Sequence, residues 1–257
     1  LFTTRDFQRS VYLVFNTQKA PFQKAETRQL FAKVINIHQF SKGQKRSSSS
    51  EDNGTYFIPK TLGGILQHEY PREVAINSRR ELKQHLTTLG YSPDSKLDLT
   101  LLKRSRTGGV AEYICLQLAN DLINCNVKYV KEYKAYLKER EKRDYHFITT
   151  GWQLDIPHPI NLLQVFSSDH ASNHALWQNP EYDQLLSKIQ VEPDIEKSMA
   201  LSRQAEHFFL EQAVVISMQP SAFTVDASSK HIKKTSSTFS TGKGLRNLPL
   251  IEKEILK

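Results

Sequence analysis

Long apolar runs are missing from this sequence. No stretch reaches the roughly 18 residues that a membrane-spanning helix needs, so no transmembrane segment is expected. Cysteine is scarce. Cys115 and Cys125 stand ten apart, with no third cysteine and no histidine at ligand spacing, which argues against a zinc site. Cys115 falls in a strongly helical pattern, and joining it to Cys125 would need the chain to turn sharply back. Two free thiols are therefore expected, and cysteine usage leaves the compartment open. Glycine-rich phosphate loops are absent, since Gly242-Lys243-Gly244 is too short for one, and there is no G-x-S-x-G elbow. No secretion signal is legible. The chain opens at Leu1 rather than Met, as a processed product or a shortened chain would, so that absence carries little weight.

What is present describes a folded α/β protein. With 257 residues there is material for one large domain or two small ones. An apolar content of 39% against 24% charged residues sets the chain apart from disordered sequences. The net charge of +8 comes from basic residues spread along the chain, without a tract interleaved with stacking aromatics, so nucleic-acid binding is not expected.

In chain order, 11–15 (VYLVF) reads as a buried strand and 26–37 as a helix with Leu30, Phe31, Val34 and Ile35 near one face. The polar stretch 41–54 (SKGQKRSSSSEDNG) reads as an exposed mobile loop. Ile58-Pro59 and Gly63-Gly64 mark irregular structure. Ser78 and Glu81 form a capping box that is expected to open a helix through Leu82, Leu86 and Leu89, ended by Gly90. A strand at 97–102 precedes a helix opened by Gly108-Gly109, with Val110, Ile114, Leu118 and Leu122 as one apolar stripe. A strand at 127–130 and a Lys/Glu-rich helix at 133–140 follow. After position 160 come a helical stretch at 161–166, a helix capped by Asn179-Pro180, a longer helix from Asp194, and a buried strand at 213–218. Beyond Pro220 the chain is polar without periodicity. This helix–strand alternation is the rhythm of an α/β domain with a largely parallel sheet.

One stretch gathers unusual chemistry. In 145–159 (YHFITTGWQLDIPHP) a strand-like run ends in Gly151-Trp152, a lone carboxylate follows at Asp155, and Pro157 and Pro159 forbid further strand. An aromatic and an acid are thereby held at a strand mouth, where ligands often bind in open α/β sheets. His158, His170 and His174 lie nearby with Asp169, but at no helical ligand spacing, and read as solvated loop histidines; no metal and no cofactor are expected. Asp155 has no second acid close in sequence with which to share proton transfer, so no enzyme is expected. A carboxylate beside an indole suits a cation, by charge pairing and a cation–π attraction of about 0.5–2 kcal/mol.

The order of motifs resembles the periplasmic oligopeptide-binding proteins of peptide ABC transporters, the extracytoplasmic solute-binding proteins of family 5, in their C-terminal half. The resemblance is carried by Asn16, Pro21, Phe22 and Arg28, by LKQHLTTLGYSPD at 82–94, by the helix–strand–helix–strand run ending in Gly151, Trp152 and Asp155, and by WQNPEYDQLL at 177–186. It covers 11–218. It implies a type II periplasmic-binding-protein-like lobe with a mixed, largely parallel sheet flanked by helices, spanning 1–215, and a tail at 216–257 that would recross a hinge. It implies peptide capture between two lobes for delivery to membrane permease subunits, by a monomer in the periplasm or on the extracytoplasmic face of a bacterial membrane, with a lipoprotein anchor expected upstream. Asp155 would bind the peptide's α-ammonium, with Trp152, Gly151, Tyr133, Thr149 and Gln153 lining the place and Arg140 facing a peptide carboxylate. The sequence departs from the family at 216–223 (ISMQPSAF), which lacks the usual tyrosines. The family is longer than this chain, and its N-terminal lobe has no counterpart here, so weak binding by one lobe is expected. The alternatives are a lobe that docks a partner protein, or a receptor of the same fold for a metal chelate or haem.

Overall fold

In the computed structural model the described residues are 5–35, 37, 55–59, 62–68, 72–104, 109–226 and 233–234. The predicted loop at 41–54 lies outside them. The elements run β1 (Arg5–Phe15), α1 (Ala25–Val34), β2 (Thr55–Tyr56), β3 (Leu66–His68), α2 (Arg72–Thr88), β4 (Leu97–Lys103), α3 (Val110–Leu118), β5 (Ile123–Tyr129), α4 (Tyr133–Glu141) and β6 (Phe147–Gln153). Then come α5 (Ile160–Leu163), a 3₁₀ turn (Gln164–Phe166), α6 (Pro180–Val191), α7 (Ile195–Glu211), β7 (Val215–Asp226) and β8 (Lys233–Lys234).

Six strands form one mixed sheet in the order β5-β4-β6-β1-β7-β8, and β2 pairs with β3 beside it. The sheet is less parallel than the sequence suggests. Only β5-β4-β6 is parallel; β1 runs antiparallel to both β6 and β7, and β8 antiparallel to β7.

Strand alternation sorts the core into two layers. Tyr12, Val14, Leu102, Ile148 and Val215 face one way, onto α4 to α7. Leu13, Phe15, Leu101, Phe147 and Ile216 face the other way, onto α1 to α3. Helices therefore cover both faces. From β4 the chain moves outward to β5 through α3, then back past β4 to β6 through α4. Right-handed crossovers in opposite directions put those two helices on opposite faces, as observed.

Several elements differ from expectation for local reasons. Ser78 is buried inside α2, which begins at Arg72, so the Ser78–Glu81 pair opens no helix. Gly90 does end it, at φ 91°, with Tyr91 N–H donating back to Leu86 at 3.1 Å. The stripe on α3 stops at Leu118. Asn120 donates to the Leu118 carbonyl at 3.1 Å and accepts from Leu122 N–H at 2.7 Å, reversing the chain. β5 then starts at Ile123 rather than 127, because pairing with β4 overrides the poor strand propensity of Asn124 and Asn126. The focal strand runs through Gly151-Trp152 to Gln153, paired with β1 all the way. The last predicted strand likewise continues past Pro220 to Asp226, with a register shift near Pro220, where a missing N–H is tolerated.

The same reversal at Asn120 corrects the reading of the cysteines. α3 folds back on β5, bringing the two Cα atoms to 5.0 Å, and Cys115 and Cys125 form a disulfide. Asn179 and Asp194 cap α6 and α7 as the sequence indicates. Asn179 accepts from Tyr182 N–H at 3.1 Å, and Asp194 accepts from Glu196 and Lys197 N–H at 2.9 and 3.0 Å.

A buried carboxylate anchors the segment before β3. Glu206, on α7, is fully buried and accepts from Ile58 N–H at 3.1 Å and Ile65 N–H at 3.0 Å. Gly63 has φ 78°, and a Cβ at Gly64 would overlap the Ile58 carbonyl. Burial pushes the Glu206 carboxyl from 4.5 up to about 7, with the two N–H bonds pulling the other way.

Two outcomes are expected. First, the non-reduced protein should show no thiol reactive to a thiol reagent after unfolding. The Cys115→Ser/Cys125→Ser variant should lose about 2–3 kcal/mol in urea unfolding. Two reactive thiols would contradict the pairing. Second, a raised carboxyl pKa means that the native state binds the extra proton. The stability contributed by Glu206 is complete below its ordinary pKa and is lost as pH rises through about 7. The loss is up to ~3 kcal/mol between about pH 5 and pH 8. Glu206→Gln should flatten that slope, and an unchanged slope would exclude Glu206 as its source.

Candidate functional site

Adjacent strands β4 and β6 are parallel, yet their following helices leave to opposite faces: α3 to one, α5 to the other. Where the helices after neighbouring strands diverge in this way, ligands usually bind at the strand ends of open α/β sheets, which makes the C-terminal ends of β4 and β6 the candidate crevice. The register Leu102↔Ile148 aligns Lys103 with Thr149, so Gly151, Trp152 and Gln153 run on past the end of β4, held only by β1.

Trp152 lies on the Ile148 side of β6 and packs partly against that core layer. Its indole N–H donates to Asn161 Oδ1 at 3.1 Å, and the His170 ring stands edge-on at 5.9 Å between centroids. Leu154 is buried and draws the chain inward. Asp155 follows with an exposed side chain, while its main-chain N–H donates to the same Asn161 Oδ1 at 3.1 Å. The Asp155 carboxylate has no partner among the described residues.

The turn beyond is fastened by His158. Its Nδ1 accepts from Ile160 N–H at 3.2 Å and its Nε2 lies 3.2 Å from Ser198 Oγ on α7. An accepting Nδ1 places the ring proton on Nε2, so this is the neutral tautomer, and burial lowers its pKa accordingly. His174 is also neutral, its pKa lowered to about 4 by burial first and by Arg140 and His170 after it. The expectation of solvated loop histidines thus fails for His158, His170 and His174: each is partly buried, His158 bonds through both ring nitrogens, and His170 Nδ1 accepts from Ser172 N–H at 3.1 Å.

The other predicted site residues divide. Thr149, Gly151 and Gln153 belong to the same strand end but alternate onto the face opposite Trp152. Tyr133 begins α4 at this edge of the sheet. It is exposed, and the Arg104 guanidinium at the end of β4 lies 5.6 Å from its ring centroid. Arg140 is not brought to the crevice. It sits at the far end of α4, 6.0 Å from the Tyr136 ring and near the start of β6. Sequence reasoning missed Asn161, Arg104 and His170 as members. The one available signal for Asn161 was a polar residue in the first turn of a helix just after the proline turn.

A half-open cavity of about 440 Å³ lies beside the site, lined by Gln164, Ser167, Ser168, Asp169, Asp183 and Ser187 among others. Its carboxylates hold the loop at 167–169: Ser167 Oγ donates to Asp169 within the loop and Ser168 N–H to Asp183 on α6, each at 3.0 Å.

Comparison with known proteins places this architecture. Residues 3–174 match the model of the middle region of bacterial extracellular solute-binding proteins, family 5. The chain is 28% identical over 212 residues to the periplasmic murein peptide-binding protein MppA of Escherichia coli, covering 79% of this chain and 38% of MppA. It is 24% identical over 210 residues to the oligopeptide-binding protein OppA of Bacillus subtilis, covering 78% of this chain and again 38% of the relative. The chain thus spans well under half the length of these curated relatives. The unliganded open form of MppA superposes with a TM-score of 0.70 at 23% identity, covering 86% of this chain and 43% of MppA, so the fold is that of a type II periplasmic-binding-protein-like lobe. Matched over two thirds of its length, the chain belongs to family 5 of the bacterial extracellular solute-binding proteins.

Proposed function

We propose that this chain is the peptide-binding lobe of the substrate-binding component of an oligopeptide ABC importer. It would capture peptides outside the cytoplasmic membrane and deliver them to membrane permease subunits. The observation that carries the reading is the exposed carboxylate of Asp155, unpartnered among the described residues, just past the end of β6 and beside the fixed indole of Trp152.

Asp155 takes the peptide's α-ammonium, and Trp152 with Gly151 forms the wall beside it. Gln153 and Thr149 continue that strand end, and Tyr133 with Arg104 offers a basic, aromatic patch at the other side of the crevice. Arg140, beside Tyr136 at the far end of α4, takes no part in this reading.

The long strands favour a second lobe. β6 pairs with β1 only from Arg9 onward, whereas β7 continues to Arg5↔Val225. The β1–β7 ribbon therefore extends beyond the sheet that the crevice opens on, as strands crossing a hinge would. On this reading 1–215 is the lobe and 216–257 the returning tail. The Cys115–Cys125 disulfide fits a compartment outside the reducing cytosol.

A crevice with one wall leaves a bound ammonium in water, where each ion pair contributes about 0–1 kcal/mol. Binding by this chain alone is therefore expected in the millimolar range or weaker, about −4 kcal/mol. NMR titration with an unmodified tripeptide and its N-acetyl derivative tests the reading. The free amine should bind up to about fivefold more tightly, and Asp155→Ala should erase the difference. Equal affinities in the parent protein would remove the ammonium role from Asp155.

A further inference from the structure

Asn161 is buried, with 6% exposure, in the first turn of α5. Its Oδ1 accepts two N–H groups that lie three residues apart in the chain, the Trp152 indole and the Asp155 main chain, each at 3.1 Å. An amide oxygen has two lone pairs, and both are used here. We propose that Asn161 is a positioning residue for ligand capture: its single oxygen sets the spacing between the indole wall and the residue that carries the carboxylate. The inference rests on the ammonium reading of Asp155.

The geometry supports this in three ways. Trp152 sits on a strand end that within the sheet only β1 supports, and Asp155 lies two residues beyond that strand, so the sheet alone does not fix their mutual distance. Asn161 does not share that looseness, because Leu162 and Leu163 beside it are fully buried and its own N–H donates to His158 at 3.1 Å. The turn between is tied to α7 through His158 and Ser198. Asn161 thus transfers the position of the helical layer to the two groups that meet the ligand. With the indole N–H held there and His170 against the ring edge, the Trp152 plane cannot turn freely. A site held to within about half an ångström needs support of this kind.

A residue that merely satisfies two N–H groups would change stability alone. A positioning residue changes how well a free amine is told from a blocked one. The test uses the full chain labelled with ¹⁵N, in which the two tryptophans, Trp152 and Trp177, give two indole N–H signals. Trp152→Phe assigns them. The probes are trialanine and N-acetyl-trialanine. In Asn161→Leu, of similar volume but without an acceptor, the Trp152 signal should move while Trp177 stays. The preference for the free amine should fall from up to about fivefold toward one. Asn161→Ala should behave alike. Asn161→Asp retains acceptor oxygens and should restore both the signal and the preference. If the leucine variant does not fold, shown by loss of the Trp177 signal, the alanine variant is measured in its place. A preference kept at the parent level in the folded variant overturns the positioning role and leaves the ammonium reading standing. No preference in the parent protein overturns the ammonium reading, and the inference with it.

Discussion

The antiparallel ladder between β1 and β6 fixes where everything at the crevice points. It runs unbroken from Phe15↔Phe147 to Arg9↔Gln153. Side chains alternate with period two, so a slip of one residue would move Trp152 to the other face and Gly151 into its place. The register is held by the core rather than by a connecting turn, since α1 to α4 and β2 to β5 lie between the two strands in the chain. Phe15 meets Phe147 at 5.2 Å and Phe22 at 5.0 Å, and Phe22 meets Phe31 at 4.9 Å, all on the α1 side. Tyr12 meets Phe57 and Phe166 on the other side. Exchanging those two sets would bury wrong shapes in both layers.

Two polar residues secure the ends of this ladder over long sequence distances. Asn16 donates to the carbonyls of Arg143 and Tyr145 at 3.0 and 2.9 Å, fixing the chain just before β6. Arg28 is almost fully buried with no carboxylate partner among the described residues. Its guanidinium instead donates to Phe22 and Gln23 at 2.7 and 3.0 Å and twice to Gln212, at 3.0 and 2.8 Å. Burial lowers its pKa to about 10, which leaves it charged at neutral pH. A buried charge is tolerated because carbonyl dipoles take each face of the fork. The loop after β1, the start of α1 and the end of α7 thus meet at one cation.

What the sequence made legible was local. The caps at Asn179 and Asp194, the buried strands at 11–15 and 97–102, and the aromatic–acid turn are each written in a few adjacent residues. What it concealed depended on distant partners. The disulfide required the Asn120 reversal, and nothing in the spacing of two cysteines announces a fold-back. β5 is strand because β4 lies beside it, not because Asn124 or Asn126 favours one. Trp152 and Asp155 could be picked out as chemistry, but their common tie to Asn161 exists only once α5 packs under the turn. The divergence of α3 and α5, which makes the crevice, follows from strand order, and strand order is invisible to periodicity.

The exposed carboxylate explains why a second wall matters on the proposed reading. At 4 Å an ion pair in bulk water gives about 1 kcal/mol, and about 4 kcal/mol at the effective dielectric near 20 of a protein-lined site. Asp155 in this lobe stands close to the first limit, since its side chain meets solvent. Everything behind it is already rigid: the indole is tied, the turn is fastened to α7, and the ladder sets the face. Little ordering remains to be done on this side when a ligand arrives. What the single wall lacks is exclusion of water. Closing a second surface over the crevice would raise the worth of a charge pair whose geometry is set beforehand. On the proposed reading that division, with position from one lobe and dehydration from closure, would let the same carboxylate release an ammonium readily when open and hold it when shut.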